Sequence, residues 1–338
     1  MRRHRRDSDE EGRLILREGD VLNNQYTIIG FCGEGTYSNV YKCLDKKTSE
    51  IIVIKVCRSN STYAQAASDE IKTMEFLKKI DPMGQYFVKY FGYFFHGEGN
   101  ICIMCELLGP SLFEVMKYNH FKPFSHSVIK SFAKQIIESV DLLHQNEKIH
   151  TDLKLENILM KKSLINLEGL SVETRKPELD IRIIDFGSLD TGNKWHSYLA
   201  TTRHYRAPEI LLGLKWGYEC DVWSIGCILL ELAYGSIVFD SKDNLEHLYL
   251  IQELISPFPK WMLDDCKRES FIPYLRKGYI SSRAVFDENQ KKFARYESLK
   301  DQLIDTPVFY DFLSSMLNPD PSKRSSLTTL RKHQYLND

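Results

Sequence analysis

A short stretch in the middle of the chain carries an unusual density of reactive side chains. Asp152-Leu153-Lys154-Leu155-Glu156-Asn157 sets an acid, an amine, a second acid and an amide close together, with leucines between them. Ile158, Leu159 and Met160 follow. A solvated loop has no use for that alternation. A rigid loop pinned by its leucines would aim Asp152, Lys154 and Asn157 the same way. Phosphoryl transfer uses such a set: a carboxylate for the acceptor hydroxyl, a cation for the γ-phosphate and an oxygen ligand for a magnesium ion. A polar turn after a helix, stabilised only by local capping, is the other reading of the same residues.

That chemistry needs partners elsewhere, and the chain offers them. Lys55 stands among the aliphatics of Ile51-Ile52-Val53-Ile54-Lys55-Val56. A lysine there is costly to bury unless paired. Glu70 is its expected partner, because Ala67, Ile71 and Met74 form the apolar stripe of a helix over 64–77 and Glu70 falls beside it. Asp185 ends the apolar run Ile181–Ile184 and is followed by Phe186 and Gly187, a carboxylate suited to a metal at nucleotide phosphates. Gly33-Glu34-Gly35 joins two β-prone runs, Tyr26–Phe31 and Asn39–Cys43. This reads as a hairpin whose glycines let backbone amides approach phosphate oxygens, with Tyr37 at its tip.

Composition narrows the field. The chain has 338 residues, 43% of them hydrophobic and 27% charged, with a formal net charge of −1. Its length suits two lobes, its composition a soluble globular protein, and its charge no nucleic-acid binder. Among eight cysteines only Cys102 and Cys105 have metal-like spacing. No second pair completes a zinc site, and their neighbours read as a buried strand. The start is polar, without a secretory signal, and the most apolar run, Val222–Leu230, is too short to span a bilayer. Arg2-Arg3-His4-Arg5-Arg6 followed by acids predicts a charged, disordered tail. The basic run points to the nucleus, with the cytoplasm as the alternative.

The positioning elements follow from periodicity. Asn100–Cys105 is a buried strand that Gly109 and Pro110 terminate. Ile129, Phe132, Ile136, Val140 and Leu143 predict an amphipathic helix ending near His144, which delivers the chain to the Asp152 loop. Residues 164–180 read as a loop or hairpin insertion. Asp221–Leu229 predicts the buried central helix of a larger lobe.

In order along the chain, these motifs resemble eukaryotic protein kinases from Tyr26 to Leu336. Several look specifically like the CDC-like, or LAMMER, dual-specificity kinases: His150-Thr151-Asp152-Leu153-Lys154, Asp185-Phe186-Gly187-Ser188, Arg203-His204-Tyr205-Arg206-Ala207-Pro208-Glu209 and Cys220–Leu229. The helix over Glu246–Leu254 departs from the naming motif of that family. It keeps Glu246, His247, Leu248 and Leu254.

The resemblance implies an α+β bilobal fold. A tail and lead-in would occupy 1–25, a β-rich N-lobe 26–105, a hinge 106–109 and a mostly helical C-lobe 110–336. Mg-ATP would bind between the lobes. Gly33, Glu34, Gly35, Tyr37, Val40, Val53, Lys55, Leu159, the gatekeeper Cys105 and the hinge backbone of Glu106 and Leu108 would surround the nucleotide. Lys55 and Glu70 would serve catalysis with Asp152 and Lys154. Asn157 and Asp185 would hold magnesium, and Thr202 would hydrogen-bond near Asp152 and Lys154. Glu156 and Glu231 match glutamates that contact a substrate arginine.

In the same way, Asp221 would hold the Asp152 loop and Glu209 would pair with Arg324. The implied partners are protein substrates, arginine- and serine-rich ones, with tyrosine autophosphorylation and a monomeric enzyme free of nucleic acid and membrane. Ser197, Tyr198 and Thr201 are candidate autophosphorylation sites. Thr151 replaces the arginine that usually receives an activation-loop phosphate, which predicts activity without that phosphate. A related dual-specificity or proline-directed kinase, or a nucleotide-binding pseudokinase, are the other readings.

Overall fold

Alternation along Ile51–Cys57 shows why the first part of the chain becomes a sheet. Ile52, Ile54 and Val56 are buried while Val53 and Lys55 are partly exposed, so one face of this strand packs and the other is free for function. In the computed structural model, which describes residues 14–35, 38–59, 61–97, 99–161, 179–276, 279–281 and 297–337, the strand is the fourth of six. They are β1 (Val21–Leu22), β2 (Tyr26–Glu34), β3 (Ser38–Asp45), β4 (Ile51–Cys57), β5 (Tyr90–His96) and β6 (Asn100–Glu106). Their order is β1-β2-β3-β4-β6-β5, antiparallel throughout.

The core of this sheet includes Leu14, Leu22, Tyr26, Ile28, Tyr41, Cys43, Ile54 and Cys102. Within the expected lead-in, Val21–Leu22 form the first strand of the sheet, and Leu14 packs into its core. Leu14 and Leu22 bury their side chains, and each buried leucine contributes about 1.5–3 kcal/mol, enough to hold a segment flanked by charges. Residues 1–13, Tyr37 and residues 162–178, which take in most of the expected 164–180 insertion, lie outside the described residues. Helix α1 (Ser61–Ile80) extends beyond its sequence estimate at both ends.

The chain divides into two compact units, the first ending at Gly109 and the second beginning at Pro110. The second is mostly helical. Its α2 (Leu112–Tyr118) starts with a capping box between Ser111 and Glu114. Helix α3 (His126–Gln145) buries Ile129, Phe132, Ile136, Val140 and Leu143, so the apolar stripe is the packed one. A two-stranded ladder follows, with β8 (Ile158–Met160) antiparallel to β9 (Ile181–Ile183). A second joins β7 (Lys148–Ile149) to β10 (Asp190–Thr191). Helix α4 (Pro208–Leu212) begins on proline and ends on Gly213, whose φ of 73° suits a left-handed cap. Helix α5 (Glu219–Tyr234) is buried from Cys220 to Leu232 on all sides, and α6 (Asn244–Leu254) carries the divergent motif. No helix among the described residues is long and apolar enough to cross a membrane.

One buried ion pair fixes α4 to the C-terminal end of the unit. Arg324 meets both oxygens of Glu209 at 2.7 Å, with side chains 0% and 1% exposed. The remaining guanidinium hydrogens go to the carbonyls of Asn318, Glu219 and Pro319, and the group lies 5.0 Å from the Trp223 ring. Breaking such a pair from one side strands a buried charge, which costs about 3–5 kcal/mol. We expect Arg324→Met to lower the unfolding free energy in urea by about that amount; a loss under about 1 kcal/mol would show that the pair contributes little.

Candidate active site

Lys55 and Glu70 come together within the first unit. The Lys55 ammonium lies 2.7 Å from both carboxylate oxygens of Glu70. The pair is about a quarter to a third exposed, at 32% and 25%, so its net stabilisation is small. Its consequence is positional: the lysine is held on the free face of β4. Val40 lies across the ladder from Lys55, and Cys105 is paired with Val53. Burial pushes the Cys105 thiol up to about 12, so it is an inert wall rather than a nucleophile. Glu106 closes β6, donating its amide to the Lys89 carbonyl at 2.9 Å and accepting the Lys89 amide on its side chain at 2.7 Å. Leu108 follows it, partly exposed. Gly35 donates to the Ser38 carbonyl at 2.8 Å, and a methyl group on Gly33 would meet nothing within 4 Å. Internal packing therefore does not require glycine at position 33, which leaves its backbone open to a ligand.

The second unit assembles a separate group around Asp152. Asp221, at the buried start of α5, accepts the amides of His150 at 2.8 Å and Thr151 at 2.9 Å, one on each oxygen. Burial pushes this carboxyl up, but the hydrogen bond and charge of His144, with His150, outweigh it and the net shift is downward. It stays ionised and clamps the loop. Burial lowers His150 in turn. Its Nδ1 accepts the Asp152 amide at 3.2 Å, and its Nε2 faces the Ile184 carbonyl at 3.4 Å. That pattern fits one neutral tautomer.

On this base the reactive side chains meet. Asp152 Oδ1 accepts from the Thr202 hydroxyl at 2.6 Å, and Oδ2 from Lys154 at 2.7 Å. Lys154 also donates to Thr202 at 3.2 Å. Asn157 Nδ2 donates to the Asp152 carbonyl at 2.9 Å, which turns Oδ1 the other way. The β8–β9 ladder sets Ile158 opposite Ile183, and the Ile184 amide bonds the Asn157 carbonyl at 2.9 Å. Asn157 and the exposed Asp185 are thus neighbours by strand register. Leu159 is partly exposed on the same short strand.

Could these residues hold a metal? No group of three or more His, Cys, Asp and Glu among the described residues could do so alone. Asn157 and Asp185 offer two oxygen ligands, the incomplete set that magnesium finishes with water and substrate phosphates. The donor chemistry fits.

Against known proteins, a profile for the protein kinase domain matches residues 26–336. The dual specificity protein kinase CLK1 of Mus musculus is 37% identical over 97% of this chain and 69% of its own length. The chain belongs to the protein kinase family, in its CDC-like branch. The serine/threonine-protein kinase AFC3 of Arabidopsis thaliana is 36% identical over 98% of this kinase and 86% of its own length. A kinase domain solved by crystallography superposes with a TM-score of 0.82 at 30% identity, covering 97% of this kinase and all of that chain.

The two expected arginine readers differ in setting. Glu156 is exposed on the loop, whereas Glu231 is 4% exposed and accepts the Tyr205 hydroxyl at 2.6 Å. Burial pushes Glu231 up to about 7; the Tyr205 bond opposes this and the Glu156 charge adds to it. Sequence reasoning missed Tyr205 and also His144, whose Nε2 lies 2.9 Å from Asp221. A polar residue ending an amphipathic helix carries no signal of a partner so distant in sequence. Asp221→Asn should show how much the clamp matters. One oxygen becomes a donor facing an amide, leaving a buried N–H unsatisfied at about 1–3 kcal/mol. We expect that loss in urea unfolding and a kcat reduced more strongly than the KM for peptide is raised; unchanged stability and kcat would refute the clamp.

Proposed function

We propose that this kinase transfers the γ-phosphoryl group of Mg-ATP to serine and threonine hydroxyls of arginine- and serine-rich proteins, with tyrosine as a further acceptor in its own chain. The Asp152–Lys154–Thr202 triangle carries the reading. Its carboxylate is fixed on both oxygens yet partly exposed, so it would orient an acceptor hydroxyl and take its proton. Lys154 would face the charge that redistributes over the γ-phosphoryl oxygens. Lys55, held by Glu70, would bind the α- and β-phosphates, with the open backbone at Gly33 against them. Asn157 Oδ1 and the Asp185 carboxylate would hold the magnesium ion, which neutralises phosphate charge when bound. The relatives named dual specificity kinases support tyrosine as an acceptor. The basic Arg2–Arg6 run supports a nuclear site of action.

Activity without an activation-loop phosphate belongs to the same reading. Thr151 donates to the Ser188 carbonyl at 2.7 Å, so the position that usually receives phosphate through arginine already ties the segment. The test is phosphotransfer from Mg-ATP to an arginine–serine peptide by protein first treated with phosphatase. Robust activity is expected, and Asp152→Ala should lower kcat by about 10²–10⁴-fold. Near-normal turnover in that variant would refute the assignment.

Arginine reading is the finer claim. Glu156 and Glu231 interact through their charges, and a carboxylate pair suits the guanidinium fork. Glu231 is neutral below about 7 and ionised above it. The KM for an arginine-containing peptide should therefore fall by about three- to tenfold from about pH 6 to about pH 8. A matched peptide with alanine for arginine should lack that change, and so should Glu231→Gln with the arginine peptide. Equal pH dependence in all three would remove Glu231 from substrate recognition.

A further inference from the structure

The activation segment, residues 189–202, is stitched to itself at Tyr198 and at His196. Asp190 and Thr191 form β10 and pair with the residues immediately before His150. The Tyr198 hydroxyl donates to the Asp190 carboxylate. His196 Nε2 donates to the Thr191 carbonyl at 2.8 Å, and its Nδ1 lies 3.3 Å from Asp190. The His196 ring stacks on Trp216 with centroids 4.5 Å apart. The two residues also exchange backbone bonds of 3.1 and 3.0 Å. Trp216 Nε1 donates to the Tyr198 carbonyl at 2.9 Å, and the Tyr198 ring meets the Trp216 ring edge-on at 5.1 Å. Tyr198 itself is 51% exposed. Its hydroxyl is therefore at once a latch and an accessible acceptor.

We propose that Tyr198 is an inhibitory modification site: a phosphoryl group on its hydroxyl opens the Asp190 latch and loosens the segment. The proposal rests on the reading that this segment is ordered without phosphate. Transfer forms a bond between Tyr198 Oη and the γ-phosphorus of ATP. The bond from that phosphorus to the bridging oxygen breaks, its electron pair leaves on ADP, and the phenolic proton passes by way of Asp190 to water, which leaves that carboxylate ionised. The product has lost the donor and carries a charge of about −1.5 to −2 beside a carboxylate. Burial raises the Asp190 carboxyl, but the Tyr198 and Thr191 bonds, with His196 and Lys194, outweigh it and the net shift is downward; the Thr191 amide bond remains when the Tyr198 bond is lost, and the carboxylate stays beside the phosphate. Lys194 faces this point but is exposed, where its pairing is screened and weak; the His196 ring is shared between the Thr191 carbonyl and Asp190 and is not free to turn to the phosphate. Repulsion prevails over capture.

The test uses the full chain with phosphotyrosine encoded at position 198, beside the unmodified protein. Trypsin cleavage after the exposed Lys194 reads the opening directly. Phosphotransfer to an arginine–serine peptide reads its consequence. Expected are cleavage about fivefold or more faster, with cuts elsewhere unchanged, and kcat/KM about tenfold or more lower. Asp190→Asn in the phosphorylated protein, whose amide donates to the phosphate, should slow cleavage back toward the unmodified rate. Cleavage no faster than in the unmodified protein, or a kcat/KM equal to it or higher, overturns the proposal. An unmodified protein without phosphotransfer would instead defeat the kinase reading, and the cleavage comparison would still decide this one.

Discussion

A single buried carboxylate sets the geometry of the second unit's site. Asp221 takes the amides of His150 and Thr151 on its two oxygens, and this holds Thr151 at a φ of 67°. A β-branched residue resists that region, and such a conformation costs on the order of 1–3 kcal/mol. Two charge-assisted bonds offset it. The turn then points Leu153 and Leu155 into the core while Asp152 and Lys154 stay partly exposed. The alternation in the sequence is thus the trace of a loop whose backbone is clamped from beneath. Asp185, two residues beyond β9, likewise has a left-handed φ of 61° and an exposed carboxylate.

Charge is used differently at different depths. Glu209–Arg324 is fully buried, with its guanidinium donors satisfied by oxygen acceptors, so it specifies how α4 and the C-terminal segment pack. Lys55–Glu70 is partly solvated and contributes little to stability, but it removes the freedom of a long side chain on the functional face of β4. Glu231 lies between these extremes. Its burial without a cation leaves the carboxyl near neutrality in the ordinary pH range. An arriving guanidinium would supply the missing charge, and binding would then be linked to proton release. His247 makes the contrasting case. It is buried on α6 and lowered to about 3 by burial and by nearby His204, Arg206 and Arg203, so it packs as an uncharged ring against Phe239.

Much of this was legible in the sequence where local pattern and chemistry coincided. The aliphatic run at β4 and the helical stripe of α3 pointed to the elements, and the order of Lys55, Asp152, Asn157 and Asp185 pointed to the chemistry. The lead-in shows no periodic pattern: Leu14-Ile15-Leu16 and Val21-Leu22 are short apolar runs separated by charged residues. The burial of Leu14 and Leu22 is a tertiary fact, decided by the edge of the sheet they cover. Tyr205 and His144 were invisible for a related reason. Their partners, Glu231 and Asp221, lie 26 and 77 residues away, and no periodicity encodes such a contact. Glu231 was identified through resemblance, but its burial and raised pKa follow only from the packing of α5.

Thr151 gains its full meaning from what surrounds it. An arginine at this position holds the activation segment only when phosphate supplies the opposite charge, so order is conditional. A threonine hydroxyl donating to the Ser188 carbonyl is unconditional but short in reach, and it fixes only the start of the segment. The stretch beyond must be ordered by other means. Here the stacked His196 and Trp216 rings and the Trp216 Nε1 bond to the Tyr198 carbonyl provide them. These are packing and neutral hydrogen bonds, less sensitive to salt than ion pairs between exposed charges. Losing the arginine and building an aromatic tether are therefore two halves of one solution: a segment ordered by shape, in which added charge has more to disrupt than to assemble.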